Sequence, residues 1–234
     1  MLIDVQFSSA TNDWPALRKA VLRAESEGYD ATWVFDHFDG AMLGGDRPVL
    51  ECVSLLGALA AITTTINLGT LVANVANRHP AVLAAAAQSV QRISNGRLRL
   101  GLGAGTAPGS KWAVEHESRG IPLFADRDAR HRAVVAQIVA VRIAGAVPVI
   151  VGVNTVALSE LAGRHADGIN VRLEHDRAAE FIAAARAATP NATSSAPRPF
   201  EISAYSTGDR ATARQRAEDL GVDRLIYTQL GPID

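Results

Sequence analysis

Cysteine is almost missing from this chain: the single one, Cys52, excludes an internal disulfide and a cysteine-rich zinc site. It lies in an apolar run, which points to a buried, inert thiol. Lysine is nearly absent too, with two against 21 arginines and 42 alanines, a bias that reads as high-GC coding and carries no mechanism. Neither sign of charge is in excess, since 23 basic and 24 acidic side chains leave a formal net charge of −1. Without a basic cluster, nucleic acid and anionic membrane surfaces are not expected partners. No apolar run reaches the ~18 residues of a membrane span, and Met1 to Phe7 lacks the basic opening of a signal peptide. A cytoplasmic protein is expected, in which the Asn191-Ala192-Thr193 sequon has no use. Paired acids for glycoside chemistry, a two-histidine-plus-carboxylate metal cluster and a G-x-S-x-G elbow are also lacking. No metal is expected.

What is present is a rhythm. The 234 residues, 48% hydrophobic and 20% charged, can bury a full core as a single domain spanning 1–234. Eight short β-branched or apolar runs read as strands: Ile3 to Phe7, Thr32 to Phe35, Asn67 to Val72, Arg97 to Leu102, Val147 to Val151, Gly168 to Val171, Phe200 to Ala204 and Arg224 to Thr228. Helical segments lie between them. One starts near Asp13 and stops at Gly28, and Pro48 and Pro80 open the next two, the second ending at Ser94-Asn95-Gly96. Others cover roughly Asp128 to Ala144, Thr155 to His165, Asp176 to Ala188 and Asp209 to Leu220. Strict alternation requires parallel strands with right-handed crossovers, and eight of them predict a closed (β/α)8 barrel. No eighth helix is expected after the last strand. Thr106 to Arg127 is the long irregular stretch, and Thr189 to Pro199 reads as a mobile loop without chemistry.

In such a barrel the residues just after each strand share one mouth. They are Asp36-His37-Phe38, Ala73-Asn74-Val75, Gly101 to Thr106, Gly152-Val153-Asn154, Asn170 and Arg172, Tyr205 and Ser206, and Gln229. So few native reagents suit a borrowed cofactor that carries the reactive atom. Two readings of Gly101-x-Gly103-x-Gly105 stand: a nest of N–H groups for a phosphate, or a tight strand exit that demands small residues. His37 likewise reads either as a structural residue or as an acid–base group whose tautomer Asp36 sets. His116, between Glu115 and Glu117, either touches substrate or sits in a solvated charged loop; His79, His131, His165 and His175 mark helix ends and flanks.

The run from Glu51 to Gly105 closely resembles the luciferase-like monooxygenase family of flavin- and deazaflavin-dependent (β/α)8 enzymes. Glu27-Gly28-Tyr29, Trp33-Val34-Phe35-Asp36-His37, Val149-Ile150-Val151-Gly152 and Ala166-Asp167-Gly168 follow in family order over about 200 residues. The resemblance implies coenzyme F420, or alternatively FMN, in the barrel mouth, with a non-proline cis peptide at Leu71–Val72. It places cofactor contacts at Asp36, Leu71, Val72, Ala73, Asn74, Gly103, Ala104, Gly105, Thr106, Gly152 and Val153, and proton handling at His37.

The sequence also departs from the family pattern. The insertion after strand four is trimmed, Val153 stands where a second glycine is common, and no tryptophan follows Asp36-His37-Phe38. Thr106 replaces a glutamate of the family's sugar-phosphate dehydrogenases, which argues against sugar-phosphate oxidation. Three functions remain open: hydride transfer between coenzyme F420 and a small organic substrate, an FMN-dependent monooxygenase fed by a partner reductase, or a non-catalytic cofactor binder. A homodimer through the apolar segment Val49 to Ala61 is a further expectation.

Overall fold

The computed structural model describes residues 1–40, 49–145, 147–190 and 199–233. These form nine strands: β1 (Leu2–Phe7), β2 (Ala31–Val34), β3 (Asn67–Thr70), β4 (Ala73–Asn74), β5 (Leu98–Gly103), β6 (Val149–Val153), β7 (Gly168–Arg172), β8 (Glu201–Ser206) and β9 (Arg224–Gln229). Eight helices accompany them: α1 (Trp14–Ser26), α2 (Cys52–Ile62), α3 (Pro80–Ile93), α4 (Val114–Glu117), α5 (Arg127–Ala144), α6 (Val156–His165), α7 (Ala178–Ala188) and α8 (Arg210–Asp219).

All strand pairs are parallel and the ring closes, because β1 pairs with both β2 and β9 while β5 pairs with β3, β4 and β6. β3 and β4 are two halves of one stave. The sequence reads as a single strand there, but the backbone bulges at a cis Leu71–Val72 peptide, as expected, and resumes pairing at Ala73. The barrel is therefore eight-staved, and it is the fold predicted from alternation. In the described residues no helix follows β9.

Local chemistry sets the helix starts. The side chains of Asp13, Asp126, Thr155 and Asp209 each accept from a backbone N–H in the first turn of the helix that follows. α3 ends where Asn95 and Gly96 both take positive φ, the left-handed exit read from Ser94-Asn95-Gly96. α2 differs from expectation: it begins at Cys52 behind an N-cap at Glu51, and Pro48 lies outside the described residues. So do the 191–198 part of the predicted mobile loop and its sequon.

The core fills the layer between barrel and helices. Cys52 is buried there, and burial pushes its thiol well above the usual range, so it is the inert group expected. α2 turns Cys52, Leu55, Leu56 and Leu59 inward, and none of its residues is among the exposed large apolar side chains, which include Val82 and Ile93 of α3 and Val139 and Ile143 of α5. Leu50, Val53 and Ile62 of this region are half-buried against the core. No helix of the described residues is long and apolar enough to cross a membrane.

Candidate functional site

β2 ends in Phe35-Asp36-His37, and the two polar residues go separate ways. Asp36 is buried, its carboxylate gripped by Arg78 through Oδ2 at 2.7 Å and Oδ1 at 2.9 Å, and it accepts from the Asn74 N–H at 2.9 Å. Arg78 also pairs with Glu51, whose carboxyl is held down to about 2; burial opposes this shift, and hydrogen bonds from Ser54 and Arg78 drive it. Asp36 therefore clamps the loop after β4 to β2. It is not the partner of His37, which corrects the reading in which Asp36 sets that tautomer.

The partner is Glu115, from α4. His37 Nδ1 lies 2.8 Å from Glu115 Oε1, and Glu115 Oε2 accepts the Phe38 N–H at 2.8 Å. Burial alone would raise the Glu115 carboxyl, but bonds from His37 and Phe38 outweigh it and hold the group below the usual range. A carboxylate at Nδ1 makes that nitrogen the donor, so Nε2 of the neutral ring keeps its lone pair. Trp112 lies beside His37, its ring centroid 5.7 Å from that of the imidazole. Thus the segment after β5, expected to be a trimmed cover, delivers both the carboxylate and the tryptophan that stand beside His37.

Its neighbour His116 is fully buried rather than solvated. His116 Nε2 lies 2.8 Å from Asn77 Oδ1 and 3.3 Å from Asn74 Nδ2, which ties α4 to the loop after β4. Arg119 adds bonds to the carbonyls of Glu115 and Phe38.

The floor is Leu71–Val72, steadied by Gln6 Nε2, which donates to the Leu71 carbonyl at 2.9 Å. Val72 also resolves the glycine pattern. A Cβ at Gly101 would strike the Thr70 carbonyl, and one at Gly103 would strike Val72 Cγ2. A Cβ at Gly152 would come within 3.0 Å of Val72 Cγ1. Small residues are needed at these three positions for strand packing around Val72. Gly105 alone has the left-handed φ of +72° and lies beside Asn74 Oδ1.

A single cavity of about 820 Å³ brings these groups together. Of the positions expected to touch a cofactor or substrate, Asp36, His37, Leu71, Val72, Asn74, Gly103, Ala104, Gly105, Thr106, Gly152 and Val153 line it. Ala73 does not: it is buried toward the helix layer beside Cys52 and Leu83, because successive side chains of a strand point to opposite faces. The far wall carries Arg130, Asn154, Asn170, Arg172, His175, Tyr205 and Thr207. Glu115, Trp112, Arg130 and the cavity-facing role of His175 had no sequence signal, since none of them sits at a strand's immediate end. No group of three metal-ligating side chains occurs among the described residues.

A family model described as luciferase-like monooxygenase matches residues 2–132, over half of the chain. A 5,10-methylenetetrahydromethanopterin reductase of Methanolobus tindarius is 28% identical over 219 residues, covering 83% of this chain and 63% of that protein. An F420-dependent glucose-6-phosphate dehydrogenase of Amycolatopsis mediterranei (strain U-32) is 36% identical over 113 residues, 47% of this chain and 32% of that one. The chain thus spans less than two thirds of the length of these curated relatives. A solved F420-dependent secondary alcohol dehydrogenase in complex with an F420-acetone adduct has the same fold at 15% identity, with a TM-score of 0.76 over 99% of this chain and 94% of that one.

Proposed function

Since the chain belongs to the luciferase-like monooxygenase family, we propose that it is an oxidoreductase that takes coenzyme F420 into the barrel mouth and passes a hydride to or from a small organic substrate. The observation that carries this reading is one cavity holding the His37–Glu115 pair against the Leu71–Val72 floor. Relatives named for F420 support the choice of cofactor.

The residues present fit such a group. A cavity of about 820 Å³ is within the ~300–1,000 Å³ of small-molecule sites. Its floor of Leu71, Val72, Gly103 and Gly152 is apolar or small, as a ring system needs, while Asn74, Thr106, Asn154 and Asn170 add polar groups to the lining. When bound, a reduced deazaflavin supplies the hydride. In that direction a His37 imidazolium, its charge steadied by Glu115, would give its Nε2 proton to the substrate oxygen; in the reverse direction, with the oxidised cofactor accepting the hydride, the neutral ring would take that proton at Nε2. Trp112 packs beside the His37 ring and adds an apolar face to that side of the cavity. Asp36 and Arg78 keep Asn74 and the floor in register.

Titrating the purified protein with oxidised and reduced coenzyme F420 tests the reading, and absence of binding by both forms would sink it. Oxygen uptake that depends on reduced FMN would establish the alternative, a monooxygenase served by a partner reductase. Cofactor binding without turnover of any acceptor, in wild type and His37→Ala alike, would leave a binding protein.

A further inference from the structure

Resting on the reading of His37 as the group that moves the substrate proton, we infer that His116 is a positioning residue: it shares the Glu115 carboxylate with His37, so that one of the two rings at a time carries a second proton.

The His116 ring is fully buried between α4 and the loop after β4. Its Nε2 lies 2.8 Å from Asn77 Oδ1, and that amide is held with its oxygen toward the ring because Asn77 Nδ2 donates to the Asp36 carbonyl at 3.2 Å. Asn74 Nδ2 is farther from Nε2, at 3.3 Å. On the other side, Nδ1 lies 4.0 Å from Glu115 Oε1, an ion-pair distance, and has no hydrogen-bond partner among the described residues. Each ring nitrogen thus meets an oxygen that only accepts. A neutral imidazole can answer one of them. With its proton on Nε2, a lone pair confronts the carboxylate; with its proton on Nδ1, a lone pair confronts Asn77. The imidazolium answers both.

The carboxylate oxygen that His116 approaches is the one His37 already uses. Glu115 Oε1 lies 2.8 Å from His37 Nδ1, while Oε2 is taken by the Phe38 N–H. One negative charge therefore stands between two imidazoles. A first added proton makes the set neutral, whereas a second leaves a buried cation without a counter-charge. The neighbouring charges are committed elsewhere. Asp36, beyond Asn77, is bound to Arg78, and Glu117 of α4 accepts the Gly109 N–H at the surface. Arg119 donates to the carbonyls of Glu115 and Phe38 and lies 3.8 Å from Asp39. The Phe38 ring closes the site against His116, with centroids 5.8 Å apart.

The effect on the reaction has a definite sign. While His116 holds the proton, Glu115 is already neutralised, and a charged His37 readily gives its Nε2 proton to the substrate oxygen. While His116 is neutral, Glu115 steadies the His37 imidazolium and that proton is held more firmly.

The test follows the imidazole signals of His37 and His116 by NMR against pH in the cofactor-free protein, each assigned by its loss in His37→Gln or His116→Gln. Sharing predicts reciprocal effects: the proton affinity of His116 rises about three- to tenfold in His37→Gln, and that of His37 rises by the same factor in His116→Gln, as linkage requires. Glu115→Gln lowers both. His37 is half-buried at the cavity, so His37→Gln still reads His116 where His116→Gln fails to fold. A His116 that stays neutral throughout, or one whose titration is the same in wild type, His37→Gln and Glu115→Gln, would overturn the sharing. These titrations need no cofactor: lack of coenzyme F420 binding would remove the proposed function, while the reciprocal shifts would still decide whether the carboxylate is shared.

Discussion

The side chain of Val72 lies between β5 and β6, where Gly103 and Gly152 leave it room. Gly103→Ala puts a methyl against Val72 Cγ2, and overpacking of this kind costs about 1–3 kcal/mol. Because Val72 is the obstacle, the cost should shrink in a Val72→Ala background. Urea denaturation of the two single variants and the double variant measures the coupling, and strict additivity would contradict the account. Glu115 invites a second test. Replacing it with glutamine removes the charge that keeps the proton on His37 Nδ1, so nitrogen NMR of the imidazole should show a mixed tautomer and turnover should fall about 10- to 100-fold. An unchanged Nδ1–H tautomer in the variant would show that Glu115 does not position the ring. The sign of the pH effect follows from its lowered carboxyl: the bond to His37 contributes above the ordinary value of 4.5 and fades as pH falls through the lower native value.

Among the elements, α1 and the loop before β3 are joined by one carboxylate. Glu25 Oε1 accepts from the N–H groups of Thr64, Thr65 and Ile66 at 2.8, 2.7 and 3.1 Å, and from the Thr65 hydroxyl at 3.1 Å. Burial would raise this carboxyl, yet those bonds hold it down to about 2 from 4.5. Between these values the unfolded chain binds the proton and the native one does not, so stability falls as pH drops from 4.5 to 2. Glu25→Gln should therefore destabilise at pH 7 and lose part of the acid dependence in that window. Equal slopes of stability against pH for the two proteins would refute it. Elements were legible in the sequence where the signal is local. Asp13, Thr155 and Asp209 cap their own helices, and the Ser94-Asn95-Gly96 exit is set by φ alone. The start of α2 was misread at Pro48 because a proline only permits a first turn, whereas the Glu51 carboxylate, which accepts the Ser54 N–H at 2.7 Å, satisfies one of its donors.

Across the whole molecule, the end of the barrel away from the cavity is tied by buried charge. Asp4 of β1 takes Arg224 Nη1 of β9 on both oxygens, at 2.7 and 2.8 Å, and the Trp33 indole N–H of β2 at 2.7 Å. Arg99 of β5 reaches Glu201 of β8 at 2.6 Å, and Arg224 Nε lies 3.4 Å from the same glutamate. Five staves meet there. Arg224→Met strands the Asp4 carboxylate in a buried site, a loss of about 3–5 kcal/mol. Denaturant unfolding should report that loss, while cofactor affinity of the folded fraction stays at the wild-type level. A stability change under 1 kcal/mol would mean the cluster does not hold the ring.

What the order of residues determined by itself was the architecture and one arc of the site. Alternating period-2 and period-3.6 patterns are short-range, so they specify parallel strands, connecting helices, and the residues that emerge at each strand end, His37 and Gly103 included. Which side chain meets which was decided only in three dimensions. Glu115 reaches His37 across 78 positions, and Ala73 turns from the cavity because the bulge before it sets the facing of that stave. Arg130 and Arg172 come to one wall because the ring places α5 and β7 on either side of β6. Contacts of that kind depend on closure of the barrel and on the path of loops, neither of which leaves a periodic trace in the chain.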